Sequence, residues 1–255
     1  MARSHRSRHG PPPESRHEPP PESRHEPPPE RSPGWAPLSE RGQSHPSRSA
    51  GIENEAVTET GTTVVGLKAG GAVVLAADRR ASVGGRFVTG KRVRKVQPVH
   101  PTAAAALSGA VGGIQSFVRT LRAETSLYRD HRGEEMSVRA LATLAGNFLR
   151  GAGLRVRPLL GGVDAEGPYL AALDGAGGAL THEYAAGGSG MQVAYGALER
   201  EYDPDLSVAE ARSVAASAVE GAGERDTASG DGLTVATVTG EGVDVQEHDD
   251  PAEVA

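Results

Sequence analysis

The sequence predicts an α+β fold of four layers, with two packed β-sheets covered on both outer faces by helices, an αββα sandwich. Three observations carry this expectation. Short runs rich in β-branched and small apolar residues begin abruptly at Thr62, two pairs of stretches carry apolar residues at helical spacing, and the order is strands, two helices, strands, two helices, strands.

The first two strands are Thr62 to Lys68 and Ala72 to Ala77, joined by Ala69-Gly70-Gly71 as a hairpin. Further strands are expected at Arg86 to Thr89 and Ala103 to Ser108. A helix then follows, with Val111, Ile114, Phe117, Val118, Leu121 and Leu127 at compatible spacing. A second helix spans about Ser137 to Arg150, with Val138, Leu141, Leu144, Ala145 and Phe148 on one face. Strands are expected next at Pro158 to Val163, Tyr169 to Asp174 and Thr181 to Ala186. Helices near Met191 to Tyr202 and Ser207 to Gly221 come after them, the latter preceded by the turn Asp203-Pro204-Asp205. Strands at Thr234 to Thr239 and Val243 to Glu247 complete the order, and the last residues read as a short flexible acidic tail.

The first 61 residues are of another kind. Twelve of the 18 prolines lie in the first 46 residues, where Phe, Tyr and Cys are absent, so the segment cannot bury enough surface to repay its ordering entropy. PPPESRHE runs from Pro11 to Glu18, again from Pro19 to Glu26, and in truncated form from Pro27 to Glu30. The repeat offers no hydrophobic face for stacking, and it reads as a disordered or polyproline-like leader.

Composition narrows the chemistry. The formal net charge is -6, and no basic patch suited to nucleic acid is present. Without cysteine there is no disulfide, thiolate zinc site or thiol nucleophile, so covalent catalysis would fall to Ser, Thr or Lys. No apolar run reaches membrane-span length and the N-terminus lacks a secretory apolar stretch, so a cytoplasmic, membrane-free protein is expected. GxSxG, HExxH and Walker patterns are missing and the histidines are scattered, which argues against metal or cofactor chemistry.

The junction Glu59-Thr60-Gly61-Thr62-Thr63 lies where the leader meets the first strand. Cleavage between Gly61 and Thr62 would give Thr62 a primary α-amine beside its hydroxyl, with a reference pKa of about 7.7 to 8.0 that suits a general base. By itself, Gly-Thr is far more often the ordinary start of a strand.

A resemblance decides between these readings. TTVVGLKAGGAVVLAADRRAS (Thr62 to Ser82) resembles the opening of mature proteasome β subunits. GKRVRKV (Gly90 to Val96), LSGAVGG (Leu107 to Gly113), GGSGM (Gly187 to Met191) and RDTASG (Arg225 to Gly230) follow at that family's spacing, over about three quarters of the chain. The resemblance implies an Ntn-hydrolase fold and a threonine peptidase. Residues 1–61 would be a leader removed by self-cleavage and residues 62–255 the catalytic domain. It places the nucleophile at Thr62, with Asp78 and Lys95 as charged partners. The Gly109 amide becomes the oxyanion donor, and Ser189, Asp226 and Ser229 surround the new amine. Thr60 as the mature terminus would displace Asp78 and Gly66 from the family pattern by two residues. Ala81, Val93, Leu107 and Val111 correspond to the pocket for the residue before the scissile bond, and their apolar character implies a chymotrypsin-like preference.

Implied partners are α subunits, other β subunits in seven-membered rings (α7β7β7α7), a regulatory ATPase ring and unfolded polypeptides. A bacterial two-ring relative also begins with paired threonines but lacks the RDTASG segment. A non-catalytic ring subunit is the reading from another class.

Overall fold

The computed structural model describes residues 59–254; the proline-rich leader up to residue 58 lies outside them. Two antiparallel sheets face one another. The first contains β1 (Glu59–Thr60), β4 (Ala81–Val83), β5 (Phe87–Gly90), β6 (Val96–His100), β7 (Ala103–Ala110), β8 (Val156–Asp164), β9 (Gly167–Leu173) and β10 (Ala179–Thr181). Its order is β10-β9-β8-β7-β1-β4-β5, with β6 also paired to β7. The second contains β2 (Thr63–Ala69), β3 (Ala72–Asp78), β11 (Tyr184–Gly188), β12 (Leu233–Thr239) and β13 (Gly242–His248), in the order β11-β2-β3-β12-β13.

Helices α1 (Val111–Arg132) and α2 (Val138–Ala152) cover the first sheet; α3 (Met191–Glu201) and α4 (Val208–Gly223) cover the second. Alternation along the strands creates three apolar layers. In β7, Ala105 and Leu107 pack towards Phe117, Leu121 and Leu141 of the outer helices, whereas Ala104 and Ala106 pack between the sheets with Val73 and Leu159. In β2, Val64 faces the inter-sheet core and Val65 faces Leu198 and Val219 of the other helix pair. The predicted αββα layering is the observed one.

Local signals set the helix ends. Ser137 caps α2 through Ala140 N, and Ser207 with Glu210 forms a reciprocal capping box on α4. Gly133 terminates α1 in the left-handed region at φ 72°.

Three expectations need correction. Thr181 to Ala186 is not one strand: the chain leaves the first sheet at Thr181 and enters the second at Tyr184, and Lys68 N bonds to Glu183 O at the crossing. Neighbouring apolar residues cannot reveal a change of sheet. Strands β4 and β6 were not anticipated, because β4 is three residues long and β6 contains Pro98. Proline is tolerated there because β6 pairs on one side only and its register shifts between Pro98 and His100. The C-terminus is not a loose tail, since Pro251–Val254 forms a 3₁₀ turn and Val254 is buried against α4.

Among the described residues, no helix is long and apolar enough to cross a membrane. Close approach of the layers depends on Gly161 and Gly162 in β8. A Cβ at Gly161 would lie 2.6 Å from Val73, and one at Gly162 would lie 2.7 Å from Val138. Gly161→Val should therefore overpack the inter-sheet core and lower stability by about 1–3 kcal/mol, measurable as a lower denaturation midpoint with the same fold by circular dichroism.

Candidate active site

The β2–β3 hairpin and the end of β12 converge on Asp78. Its carboxylate is wholly buried and accepts four hydrogen bonds: Lys95 Nζ at 2.8 Å and Thr63 N at 2.9 Å on Oδ1, and Arg80 N and Gly230 N at 3.0 Å on Oδ2. Every partner is a donor, so the site is built for the ionised carboxylate. Lys95, 1% exposed, lies just before β6 and is tied to β7 by Leu107 N to Lys95 O at 2.8 Å. Burial pushes Asp78 above and Lys95 below the usual range, and the charge of each partner opposes the other's shift.

Lys95 Nζ reaches a second acceptor, the carbonyl oxygen of Gly61, at 3.2 Å. The Thr62 hydroxyl, also wholly buried, donates to that same oxygen at 2.7 Å. Hydroxyl and ammonium thus meet at the carbonyl of the bond expected to break. Lys95 carries its charge to the Gly61 carbonyl.

A second hydrogen-bonded group surrounds the amide of the same bond. Thr62 N–H donates to Ser189 Oγ at 3.0 Å, and Ser189 Oγ contacts Asp226 Oδ2 at 2.5 Å. Ser229 Oγ reaches the same carboxylate oxygen at 2.7 Å, and Thr63 Oγ1 lies 2.8 Å from Ser229 Oγ. Both serines donate to Asp226, whose other oxygen accepts Ala228 N at 3.2 Å. Ser189 is not the cap of α3, because Gly190 holds that position without a side-chain bond.

Residues 59 and 60 approach this centre as strand β1, with Thr60 registered against Gly109 of β7 and Val83 of β4, and Glu59 against Ala110. Gly109 has φ +126°, and an added Cβ would lie 2.1 Å from Arg155 O, so only glycine fits. A cleft of about 720 Å³ opens beside Gly61, lined among others by Gly109, Arg157, Ser189 and Asp226.

A family model described as proteasome subunit matches residues 58–238. The chain belongs to the proteasome subunit family. It is 57% identical over 202 residues to a protein of Halorhabdus utahensis named proteasome subunit beta, covering 79% of this chain and 86% of that one. A protein of Haloterrigena turkmenica named proteasome subunit beta 2 is 57% identical over 197 residues, 77% of this chain and 83% of its own. Another of the same name from Haloarcula marismortui is 51% identical over 206 residues, 80% and 90%. The chain is thus an archaeal-type proteasome β subunit, one component of a multi-subunit core devoted to protein degradation.

In this proteasome β subunit, Thr62 and Lys95 meet at the Gly61 carbonyl with Asp78 paired to Lys95, while Ser189, Asp226 and Ser229 form one group beside the Thr62 amide. Gly109 lies within β7 and lines the cleft. The four residues expected to form the pocket come from β4, the segment before β6, β7 and α1. Leu107 is buried in the core under α1 and α2, Val111 opens α1 at 37% exposure, and Ala81 and Val93 flank Gly90; none lines the 720 Å³ cleft.

Sequence reasoning missed Thr63 and Arg80. Thr63 binds both groups, through its amide to Asp78 and its hydroxyl to Ser229. Arg80 binds Asp231 at 2.8 Å and Thr227 O at 3.1 Å, clamping the loop that carries Asp226 and Ser229. The paired threonines and the second arginine of Asp78-Arg79-Arg80 were the available signals.

A Cβ at residue 61 would lie 1.8 Å from Ala228 Cβ and 3.1 Å from Ser82 Oγ. Gly61→Ala should therefore displace the carbonyl from Lys95 and slow cleavage of the Gly61–Thr62 bond by about 100-fold. Adding Ala228→Gly should restore part of the rate, as followed by loss of the precursor band on a denaturing gel.

Proposed function

We propose that this β subunit is a self-processing N-terminal threonine peptidase that hydrolyses unfolded polypeptides inside an α7β7β7α7 core supplied by a regulatory ATPase ring. The observation that carries the reading is the pair of contacts on Gly61 O, 2.7 Å from Thr62 Oγ1 and 3.2 Å from the Asp78-paired ammonium of Lys95.

In self-cleavage, Thr62 Oγ bonds to the Gly61 carbonyl carbon as its proton passes to water, from which the Thr62 nitrogen later takes one up, and the carbonyl π pair moves to the oxygen held by Lys95. A preorganised cation there stabilises the developing oxyanion. Collapse breaks the C–N bond and the Thr62 nitrogen takes up a proton, with Ser189 and Asp226 beside it for the transfer. The resulting ester between the Gly61 acyl group and Thr62 Oγ is hydrolysed by water. The leader leaves with a Gly61 carboxylate, and Thr62 gains its α-amine.

The same centre then acts on substrates. The new amine serves as general base, and the Gly109 amide is the proposed donor to the substrate oxyanion. Peptide hydrolysis proceeds through an acyl ester on Thr62 and its release by water. The proposed preference for apolar residues before the scissile bond rests on the family correspondence of Ala81, Val93, Leu107 and Val111, all apolar, and not on the lining of the cleft. Until cleavage, the leader keeps the Thr62 nitrogen acylated and so delays activity until assembly.

The two reactions should differ in their pH dependence. Peptide hydrolysis needs the unprotonated Thr62 amine, so it should rise through about pH 7.7–8.0. Self-cleavage starts from an amide nitrogen and should lack that acid limb. It needs the charged form of Lys95, whose pKa burial lowers, and should decline at a pH below that at which an ordinary lysine titrates. Both profiles can be measured on the complex assembled with its α subunit. Thr62→Ser should retain hydrolysis and Thr62→Ala abolish it; activity in Thr62→Ala would refute the assignment, and inactivity of the processed wild type would favour a non-catalytic ring subunit.

A further inference from the structure

Arg155 and Arg157 are unused by the chemistry described above, yet both line the cleft beside Gly61. Arg155 immediately precedes β8, and Arg157 is the second residue of that strand. The intervening Val156 is buried against α1 in the helix-covered core, so alternation turns Arg155 and Arg157 towards the opposite, cleft-facing side. Both are exposed. Their positions follow from the sheet register: Arg157 is paired with Ser108, and Ala110 N bonds to Arg155 O at 2.9 Å. Ala110 is in turn registered against Glu59 of the leader strand. A small residue therefore separates each arginine from the strand that enters the site, at two strand spacings or about 10 Å, a gap that a long guanidinium side chain and a carboxylate can close together.

Charge points the same way. Among the described residues lining the cleft, the only other charged one is Asp226. Its carboxylate is already engaged by Ser189, Ser229 and Ala228 N. Arg155 and Arg157 are the cationic residues of that lining. The leader sequence just ahead of the cleaved bond is complementary to it, with Glu53, Glu55 and Glu59 and no Lys or Arg after Arg48.

We propose that Arg155 and Arg157 form an acid-accepting subsite, so that this β subunit favours substrates carrying Asp or Glu three residues before the scissile bond, the register that Glu59 holds against Ala110 and Arg155. Planar guanidinium groups suit carboxylates geometrically, and partial enclosure in a cleft limits screening. The proposal rests on the peptidase reading and adds a second determinant to the apolar preference at the residue next to the bond.

The test uses the assembled, processed complex and fluorogenic peptides ending in Leu before the reporter, with Glu or Gln at the third residue before the bond. There, kcat/KM for the Glu peptide should exceed that for the Gln peptide by on the order of tenfold, mainly through KM. The ratio should shrink as sodium chloride is raised, and Arg155→Ala with Arg157→Ala should bring it near one. Equal hydrolysis of the Glu and Gln peptides by the wild type would overturn the proposal, as would a ratio unchanged in the double variant. Failure to cleave any peptide would instead contradict the peptidase reading on which the proposal stands.

Discussion

Asp78 and Lys95 are withdrawn from water together, at 0% and 1% exposure, and the arrangement of the whole centre follows from the need to satisfy them. Two charges buried at this depth each carry a desolvation penalty of several kcal/mol, which their mutual attraction offsets only when the remaining hydrogen-bonding capacity is filled. Here β2, the turn after β3 and the loop before β12 each supply a backbone N–H to Asp78, so the carboxylate ties its own turn to the neighbouring strand and to a loop 152 residues away. Lys95 spends its remaining reach on the Gly61 carbonyl. Removing either charge would leave the other buried without its counter-ion, so the pair serves packing and chemistry at once.

The segment before Thr62 is delivered to that pair by the sheet itself. As β1 it lies between β4 and β7, and backbone pairing fixes its register against Val83 and Gly109. This holds the Gly61 carbonyl where Lys95 and the Thr62 hydroxyl meet it, and such positioning can account for much of a rate enhancement. The contact between position 61 and Ala228 makes glycine the residue that fits. Once the leader has left, the gap between β4 and β7 becomes available to an incoming chain, so one groove serves both reactions in the proposed mechanism.

Much of this was legible in the sequence, for reasons that differ by element. The four helices announce themselves through apolar spacing, and Ser137, Ser207 and Gly133 carry the capping chemistry. The β2–β3 hairpin is legible from Gly70 and Gly71, both at positive φ. The crossing between sheets at His182 and Glu183 was not, because a strand's alternation is the same in either sheet. The motifs named Asp78, Lys95, Ser189, Asp226 and Ser229 as residues, but not which acceptor the Lys95 ammonium would take or that Thr63 would join both groups. Those are distances between segments, set only when the sheets pack.

In the proposed mechanism Thr62 attacks the Gly61 carbonyl held by Lys95. The most direct measurement is the intact mass of this subunit after assembly with its α partner, for the wild type and for Thr62→Ala. A wild-type chain beginning at Thr62, with the leader retained in Thr62→Ala, is the predicted result. A wild-type chain that keeps its leader in the assembled particle, or a Thr62→Ala chain cut after Gly61, would contradict the claim.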